Sequence, residues 1–229
     1  MSIWRRRLAA LGSALLPQDC LLCGSAADHG LLCRDCSDDL PTPAGAGCPI
    51  CAEASPGGIC GACLKNAPHF DATYAAFTYS YPVDKLIQAL KYQHRLAVAG
   101  YLAEALLAGP RPDGDMIIPL PLAARRLRQR GFNQAVEIAR PLARALDLPL
   151  QLDGVGRPVD TPAQAMLPWR QRRRNVRHAF ECGLDLTGRR LIVVDDVMTT
   201  GATLDEFART LKAHGAARVT NWVAARVRR

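Results

Sequence analysis

Eight of the nine cysteines form four Cys-x-x-Cys pairs in the N-terminal third of this 229-residue chain. Two thiolates with two residues between them can bind one ion from a tight turn, and two such pairs complete a tetrahedral shell of four sulfurs around Zn²⁺. Four thiolates leave no coordination position for water, so such a site is structural. The spacing therefore predicts two structural zinc sites, built from Cys20, Cys23, Cys33, Cys36, Cys48, Cys51, Cys60 and Cys63.

The alternative interpretation of these cysteines is a disulfide framework, which is typical of small extracellular domains. The strict pairing, and the single further cysteine at Cys182, favour zinc. Zinc thiolates suit a reducing compartment, so we expect a cytoplasmic protein. The spacing leaves open which pairs share an ion. Sequential pairing gives two ribbons with loops of nine and eight residues, whereas a cross-brace interleaves the pairs.

A second chemical pattern occupies Leu191–Thr203, Leu-Ile-Val-Val-Asp-Asp-Val-Met-Thr-Thr-Gly-Ala-Thr. An apolar run typical of a buried strand leads into two adjacent carboxylates, then into a hydroxyl-rich loop and a helix. Backbone N–H groups of such a loop and of the helix N-terminus can surround a phosphate, and carboxylates can accept ribose hydroxyls or hold metal-bound water. The pattern predicts a site for a sugar 5′-phosphate. Its residues are Asp195 and Asp196 for ribose or Mg²⁺, and Thr199, Thr200, Gly201, Ala202 and Thr203 for the phosphate.

The chain is rich in arginine, with 25 arginines and four lysines against 21 acidic residues and a formal net charge of +8. Positive charge concentrates polyanions such as phosphates, nucleic acids or anionic membranes. A GC-rich genome that favours arginine codons is the alternative explanation. With 49% apolar and 22% charged residues, the composition excludes a disordered chain. The sequence contains no apolar run of the ~18 residues that a membrane span needs.

The elements that must position these residues alternate between strand and helix after Phe70. The patterns predict strands at 71–81, 116–120, 148–152, 179–182, 191–194 and 218–227. They also predict one helix that begins at Pro82 and three further helices at 96–107, 133–146 and 204–213. This alternation predicts an α/β fold with a doubly wound parallel sheet, whose ligands bind at the carboxyl ends of the strands.

Three segments follow from these patterns: an N-terminal amphipathic helix at 1–18, a double zinc ribbon at 19–66 and the α/β domain at 70–229. The first segment has the basic start and apolar run of a secretory signal. Gly12 and Ser13 interrupt that run, so we expect a helix that packs on the ribbons or on a partner. A weak peripheral contact with an anionic membrane is the alternative.

The stretch Leu191–Thr203 resembles the phosphoribosyl-pyrophosphate (PRPP) signature of type I phosphoribosyltransferases. Four Cys-x-x-Cys pairs ahead of such a domain, and the run Arg130-Gly131-Phe132-Asn133-Gln134, resemble the ComF-type competence family of double-zinc-ribbon, phosphoribosyltransferase-like proteins. The resemblance covers nearly the whole chain, from about Cys20 onward. It implies a type I phosphoribosyltransferase-like sheet with an N-terminal zinc-ribbon module.

The resemblance also implies roles for residues outside the signature. The loop after the first core strand would hold pyrophosphate, and here that loop contains Arg125, Arg126, Arg128 and Arg130. A flexible hood over the site would correspond to 157–175, which includes Gln164 and Arg172. Mg²⁺ bound with PRPP would assist the departure of pyrophosphate. No residue stands out as a general base, so the catalytic residues are not assigned.

Three hypotheses for function remain. The first is a PRPP-binding, ComF-like protein that handles single-stranded DNA with the DNA-uptake machinery during transformation, with phosphoribosyl transfer activity left open. The second is an active phosphoribosyltransferase, a pentosyltransferase that acts on an unidentified nucleobase or nucleotide-like acceptor. The third is a non-enzymatic regulator that responds to PRPP or ribose 5-phosphate. We favour the first.

Overall fold

The computed structural model describes residues 18–27, 30–43, 45, 47–158 and 178–228. The strands are β1 (Gln18–Asp19), β2 (Ala26–Ala27), β3 (Ala72–Thr78), β4 (Met116–Pro119), β5 (Val155–Gly156), β6 (Glu181–Cys182), β7 (Arg190–Met198) and β8 (Arg218–Arg226). The helices are α1 (Arg34–Asp38), α2 (Gly61–Lys65), α3 (Val83–Tyr92), α4 (Ala97–Ala108), α5 (Ala124–Arg130), α6 (Gln134–Leu146) and α7 (Ala202–Ala213). Almost all of the predicted N-terminal helix, and the predicted hood from residue 159, lie outside the described residues.

Four strands form a parallel sheet in the order β3-β8-β7-β4. Side chains alternate between the two faces of a strand, and β7 shows where each face packs. Ile192 and Val194 belong to a core with helices α3, α4 and α6, whereas Leu191 and Val193 belong to a core with α7. Helices therefore cover both faces, which confirms the predicted doubly wound parallel sheet.

Two of the predicted strands take a different form. The segment 148–152 pairs with β4 through a single bridge between Leu150 and Ile117. Pro149 in this segment accepts from the Ile117 N–H at 2.8 Å but has no N–H to donate, which limits the pairing. At 179–182 the strand is reduced to β6, which pairs with β5 in a separate antiparallel sheet.

Two other elements differ in extent around the predicted site. Strand β7 continues beyond Val194 to Met198, because β8 pairs with it along that whole length. Asp195 and Asp196 therefore lie inside the strand instead of after it. The arginines expected in a loop lie on helix α5, which ends at Gly131 with a φ of 77°.

The two cysteine-rich segments repeat one local structure. In the first, the Gly24 N–H donates to the Cys20 carbonyl at 2.9 Å, and in the second the Ala52 N–H donates to the Cys48 carbonyl at 2.8 Å. Gly24 and Ala52 both have a left-handed backbone, with φ of 74° and 57°. A short helix then follows the third cysteine of each segment, α1 in the first and α2 in the second. We call these segments the first ribbon (residues 18–40) and the second ribbon (residues 47–66).

The ribbons pack against opposite faces of the sheet. The first ribbon joins the core of α3 and α4, where Ser37 Oγ lies 2.8 Å from the Tyr101 hydroxyl. The second ribbon joins the core of α7 through Cys48, Cys51 and Cys63. The chain that leaves the first ribbon and enters the second runs along the edge strand β3, whose N–H groups donate to the carbonyls of Pro41 and Pro49. This connection covers an edge that would otherwise offer unpaired backbone groups.

In the described part of the chain, no helix has the length and apolar character that a membrane span requires.

Candidate functional site

The eight cysteine sulfurs gather into two groups of four. One group contains Cys20, Cys23, Cys33 and Cys36, the other Cys48, Cys51, Cys60 and Cys63, and the sulfurs within each group lie within 4.8 Å of one another. The Cys23 and Cys33 sulfurs are 3.7 Å apart, and those of Cys51 and Cys60 are 3.5 Å apart. A tetrahedron with Zn–S bonds of about 2.3 Å has edges of about 3.8 Å, so both groups fit zinc. The pairing is sequential, and the cross-brace alternative is wrong.

A cavity of about 470 Å³ opens at the carboxyl ends of β3, β4 and β7. Of the residues singled out in the sequence, it brings together Asp195, Asp196, Thr199, Thr203, Arg126 and Arg130. Asn133 and Gln134 of the run 130–134 also line it, and the structure adds further polar residues to its wall: Tyr79, Gln88, Lys91, Tyr92 and Arg157. Paired carboxylates, hydroxyls and several cations thus face one space of the size that holds a small ligand.

Lys91 is the main chemical group that the sequence analysis missed. It comes from the last turn of α3, and its Nζ lies 2.7 Å from an Asp196 carboxylate oxygen. Burial lowers the pKa of Lys91, but the Asp196 carboxylate outweighs burial and raises that pKa above the usual lysine value. The lysine therefore stays charged and holds Asp196 in place. Its position on the apolar face of α3, four residues after Ile87, is the signal that could have identified it.

Asp195 is in a less favourable electrostatic environment than Asp196. Its Oδ1 accepts the Asp196 N–H at 2.8 Å, and its side chain reaches the cavity wall. Burial, followed by the charge of Asp196, raises the pKa of Asp195 to about 7, against the opposing charge of Lys91. Near neutral pH this carboxyl exchanges a proton easily, and a cation or hydroxyl donor in the cavity would favour its ionised form.

The loop after β7 together with the first two residues of α7, which we call the phosphate loop (Thr199–Thr203), presents the N-terminus of a twelve-residue helix. Gly201 has a φ of 81°, and a Cβ there would lie 2.6 Å from Met198 Cε, so no larger residue fits without displacement. The Thr200 hydroxyl accepts the Ala202 N–H at 3.3 Å. The first N–H groups of a helix have no partner within it, and they attract anions.

Residues 130–134 join α5 to α6 on the β4 side of the cavity. Gly131 ends α5 with a left-handed backbone, and Asn133 begins α6 by accepting the Ala135 N–H at 3.0 Å. The Asn133 amide also donates to the Leu120 carbonyl at 3.0 Å. One side chain therefore fixes the start of α6 to the loop that follows β4.

Arg130 and Gln134 form a polar pair on the cavity wall. Arg130 Nη1 donates to Gln134 Oε1 at 3.0 Å, and the guanidinium lies 5.6 Å from the centre of the Tyr92 ring. Gln134 is 3% exposed, and its Nε2 has no hydrogen-bond partner among the described residues. A buried amide group without a partner is costly, so Gln134 Nε2 is a donor that suits a ligand oxygen.

The remaining site residues from the sequence analysis lie elsewhere. Arg125 is exposed on α5 and does not line the cavity. Thr200, Gly201 and Ala202 line a neighbouring cavity between the phosphate loop and the second ribbon. Gln164 and Arg172 lie outside the described residues, whereas Arg157, at the start of the predicted hood, is 9% exposed and lines the main cavity.

Comparisons with known proteins agree with both parts of this architecture. Residues 133–228 match the phosphoribosyl transferase domain family, and residues 11–64 match the double zinc ribbon domain family. The chain is 36% identical over 219 residues to the DNA utilization protein YhgH of Escherichia coli O157:H7, which covers 90% of this chain and 96% of that protein. It is 34% identical over 178 residues to competence protein F of Haemophilus influenzae, covering 73% of this chain and 78% of that one.

The fold and the site thus define a phosphoribosyltransferase-domain protein with a double zinc ribbon. More particularly, the chain belongs to the family of the DNA utilization protein YhgH and competence protein F, which confirms the ComF-type resemblance. Its likeness to a solved structure is slight. A glutamine PRPP amidotransferase from B. subtilis, complexed with ADP and GMP, is 22% identical over 55% of this chain and 25% of its own, with a TM-score of 0.37.

The two sulfur groups predict the metal content. We expect two zinc ions per chain by elemental analysis, and one per chain in Cys23→Ser and in Cys60→Ser, because each replacement removes a ligand from a different group. Cys182→Ser, outside both groups, serves as the control and keeps two. Loss of both ions in either variant would contradict two independent sites.

The raised pKa of Asp195 predicts a pH-dependent stability. Because the unfolded-state pKa is about 3.9, the folded protein holds this proton more tightly, and the associated stability is lost as the pH rises from about 4 through 7. Asp195→Asn has no such proton to release, so we expect it to raise the free energy of unfolding by about 3 kcal/mol more at pH 8 than at pH 5. Urea titrations measure it, with the exposed Asp153→Asn as control. An equal effect at both pH values would contradict the shift.

Proposed function

We propose that the protein binds PRPP with Mg²⁺ in the main cavity and takes part in the use of DNA, with phosphoribosyl transfer as its chemistry. The observation that carries the proposal is one cavity lined by the paired carboxylates, by Thr199 and Thr203 at the two ends of the phosphate loop, and by the cations on the β4 side. PRPP has the matching groups: two hydroxyls, a 5′-phosphate and a diphosphate.

The geometry supports one orientation of PRPP. The 5′-phosphate would accept N–H groups of the phosphate loop at the α7 N-terminus. The ribose hydroxyls would donate to the carboxylates of Asp195 and Asp196. The diphosphate would lie against α5 and α6, where Arg126, Arg130 and Gln134 Nε2 provide donors. Each part of the ligand then meets groups of the complementary charge.

The residues also fit Mg²⁺. This ion keeps several waters and is held by one or two carboxylates together with ligand phosphates. Lys91 contacts one oxygen of Asp196, so Asp195 and the other Asp196 oxygen remain for metal-bound water and ribose hydroxyls. When bound, Mg²⁺ would stabilise the negative charge of departing pyrophosphate.

The proposed reaction exchanges one bond at the anomeric carbon. The bond between that carbon and the pyrophosphate oxygen breaks, and the bonding electrons leave with pyrophosphate. A ring nitrogen of the acceptor forms the new bond, and its proton passes to solvent or to the leaving group. The arginines and Lys91 would stabilise the departing charge. The acceptor class is a nucleobase or nucleotide-like molecule.

The role in DNA use is supported by the relatives' names and by exposed basic residues. Arg125 and Arg128 are exposed on α5 beside the cavity, where they can contact a phosphate backbone. Arg226 is different, because it is 4% exposed and bonded within the protein, so it does not contribute to a DNA-binding surface. We propose single-stranded DNA and the DNA-uptake machinery as partners.

Lys91→Met tests the PRPP site. The change leaves the Asp196 carboxylate without its cation, so we expect the affinity for PRPP with Mg²⁺ to fall roughly tenfold or more, about 1.4 kcal/mol, by calorimetry. Lys85→Met, at an exposed position on the same helix, is the matched control and should bind as the wild type does. Wild-type protein whose melting temperature PRPP leaves unchanged would contradict the proposal.

Turnover separates transfer from binding alone. PRPP and Mg²⁺ are incubated with a panel of nucleobases and nucleotides, and pyrophosphate release is measured. Release that depends on one acceptor and is lost in Lys91→Met supports transfer. PRPP binding without release from any acceptor favours the PRPP-responsive regulator instead.

The DNA-binding hypothesis predicts a steep salt dependence. If Arg125 and Arg128 each contact a phosphate of single-stranded DNA, replacing both with alanine should lower the slope of log affinity against log salt by about 1.4. Fluorescence anisotropy at several salt concentrations measures the slope. PRPP affinity should not change, since neither residue lines the cavity. Arg34→Ala with Arg144→Ala, exposed elsewhere, is the control, and an equal loss there would point to charge in general.

A further inference from the structure

Arg226 lies at the end of β8 and is buried, with 4% of its surface exposed. Its side chain reaches into the second ribbon. Nε donates to the carbonyl of Cys51 at 3.0 Å, and Nη2 donates to the carboxylate of Glu53 at 3.0 Å. Cys51 is a ligand in the second sulfur group, so this guanidinium holds the backbone of a zinc-binding turn.

The third nitrogen of the same guanidinium, Nη1, points to the phosphate loop. Nη1 donates to the carbonyl of Met198 at 3.3 Å and also to the carbonyls of Thr199 and Val227. A trans peptide is planar, so the direction of each carbonyl fixes the direction of the N–H that follows it. Arg226 holds the Thr199 carbonyl and so sets the direction of the Thr200 N–H, and it shares the Met198 carbonyl, which precedes the Thr199 N–H, with the Val227 N–H at 3.0 Å.

A second contact joins the same two regions. His69 follows the second ribbon, and its backbone N–H donates to the Asp205 carboxylate at 2.7 Å, with its ring Nδ1 2.9 Å away. Asp205 lies in the first turn of α7, directly after the phosphate loop. Between these contacts is a cavity of about 500 Å³ with Cys60 and Cys63 on one side and Gly201 and Ala202 on the other. Because this cavity lies between the second ribbon and the phosphate loop, the polar contacts of Arg226 and Asp205 at its margin hold the two in fixed positions.

We propose that Arg226 is a positioning residue that makes the 5′-phosphate affinity of the phosphate loop depend on zinc in the second ribbon. Without zinc, the turn at Cys51 is no longer fixed, Arg226 loses partners there, and the Thr199 carbonyl loses the donor that holds it, whereas the Val227 N–H still holds the Met198 carbonyl at 3.0 Å. The first ribbon has no such effect, because it packs on the opposite face of the sheet, against α4. This inference rests on the proposed function, since it concerns the same phosphate loop.

Arg226→Lys tests the coupling with two ligands. Lysine keeps the charge but cannot donate in three directions from a planar group. We expect the affinity for ribose 5-phosphate to fall roughly tenfold, about 1.4 kcal/mol. The affinity for inorganic pyrophosphate, which binds beside α5 and α6, should stay within a factor of two, because Arg226 does not contact that region. Zinc content should remain two per chain. Arg218→Lys, exposed at the other end of β8, is the matched control.

The zinc dependence is tested with one ligand variant from each ribbon. Cys60→Ser should weaken ribose 5-phosphate binding as Arg226→Lys does, whereas Cys23→Ser should bind it like the wild type. Unchanged ribose 5-phosphate affinity in Arg226→Lys would overturn the inference, and so would an equal loss of both ligands, which indicates general disruption. If a cysteine variant does not fold, zinc is removed from the wild-type protein with a chelator instead, and unchanged ribose 5-phosphate affinity after zinc loss would overturn the inference. Wild-type protein that binds neither ligand would overturn the proposed function itself.

Discussion

Strands β7 and β8 pair in parallel from Arg190 with Arg218 to Met198 with Arg226. Because both strands run in the same direction, this register brings the start of the phosphate loop level with the last residue of β8. A shift by one residue would turn every side chain of β7 to the opposite face. The positions of the Asp195 and Asp196 carboxylates, and the reach of Arg226 to the loop carbonyls, therefore all depend on this one pairing.

The same register places two carboxylates side by side in a partly buried site, which is electrostatically unfavourable. Lys91 relieves this for Asp196, at a distance of 2.7 Å, while the pKa of Asp195 rises to about 7. The protein thus pairs one carboxylate with a cation and leaves the other ready to ionise. A carboxyl placed in this way suits a ligand with hydroxyls and a bound cation, as the proposed function requires.

Local pattern predicted much of this fold. The apolar run at Leu191–Val194, the helical spacing that begins at Val83 and the spacing of the cysteines each identified an element or a site, because adjacent residues determine those features. The segment at 148–152 was misjudged since its pairing depends on what lies beside it, and Pro149 limits that pairing. The segment boundaries at 19–66 and 70–229 stay predictions.

Contacts between distant parts of the chain could not be predicted in this way. Lys91 and Asp196 are more than one hundred residues apart, and their ion pair arises only when α3 packs beside the end of β7. Nor does spacing indicate that the ribbons lie on opposite faces. The arginine excess had suggested polyanion binding as a whole, yet the structure divides it by location: Arg126 and Arg130 line the cavity, Arg125 and Arg128 are exposed, and Arg226 is buried.

The division of the arginines bears on what the zinc ribbons contribute. A ribbon that served only as a separate binding module would gain nothing from a buried guanidinium shared with the sheet. Placing an ionised group at 4% exposure is costly unless its donors are satisfied, and here carbonyls from the ribbon, from the phosphate loop and from β8's own end satisfy them together with Glu53. Such a group is stable only while both regions keep their positions. The second ribbon is therefore part of the wall behind the phosphate loop, and its metal helps to determine the geometry with which that loop meets an anion.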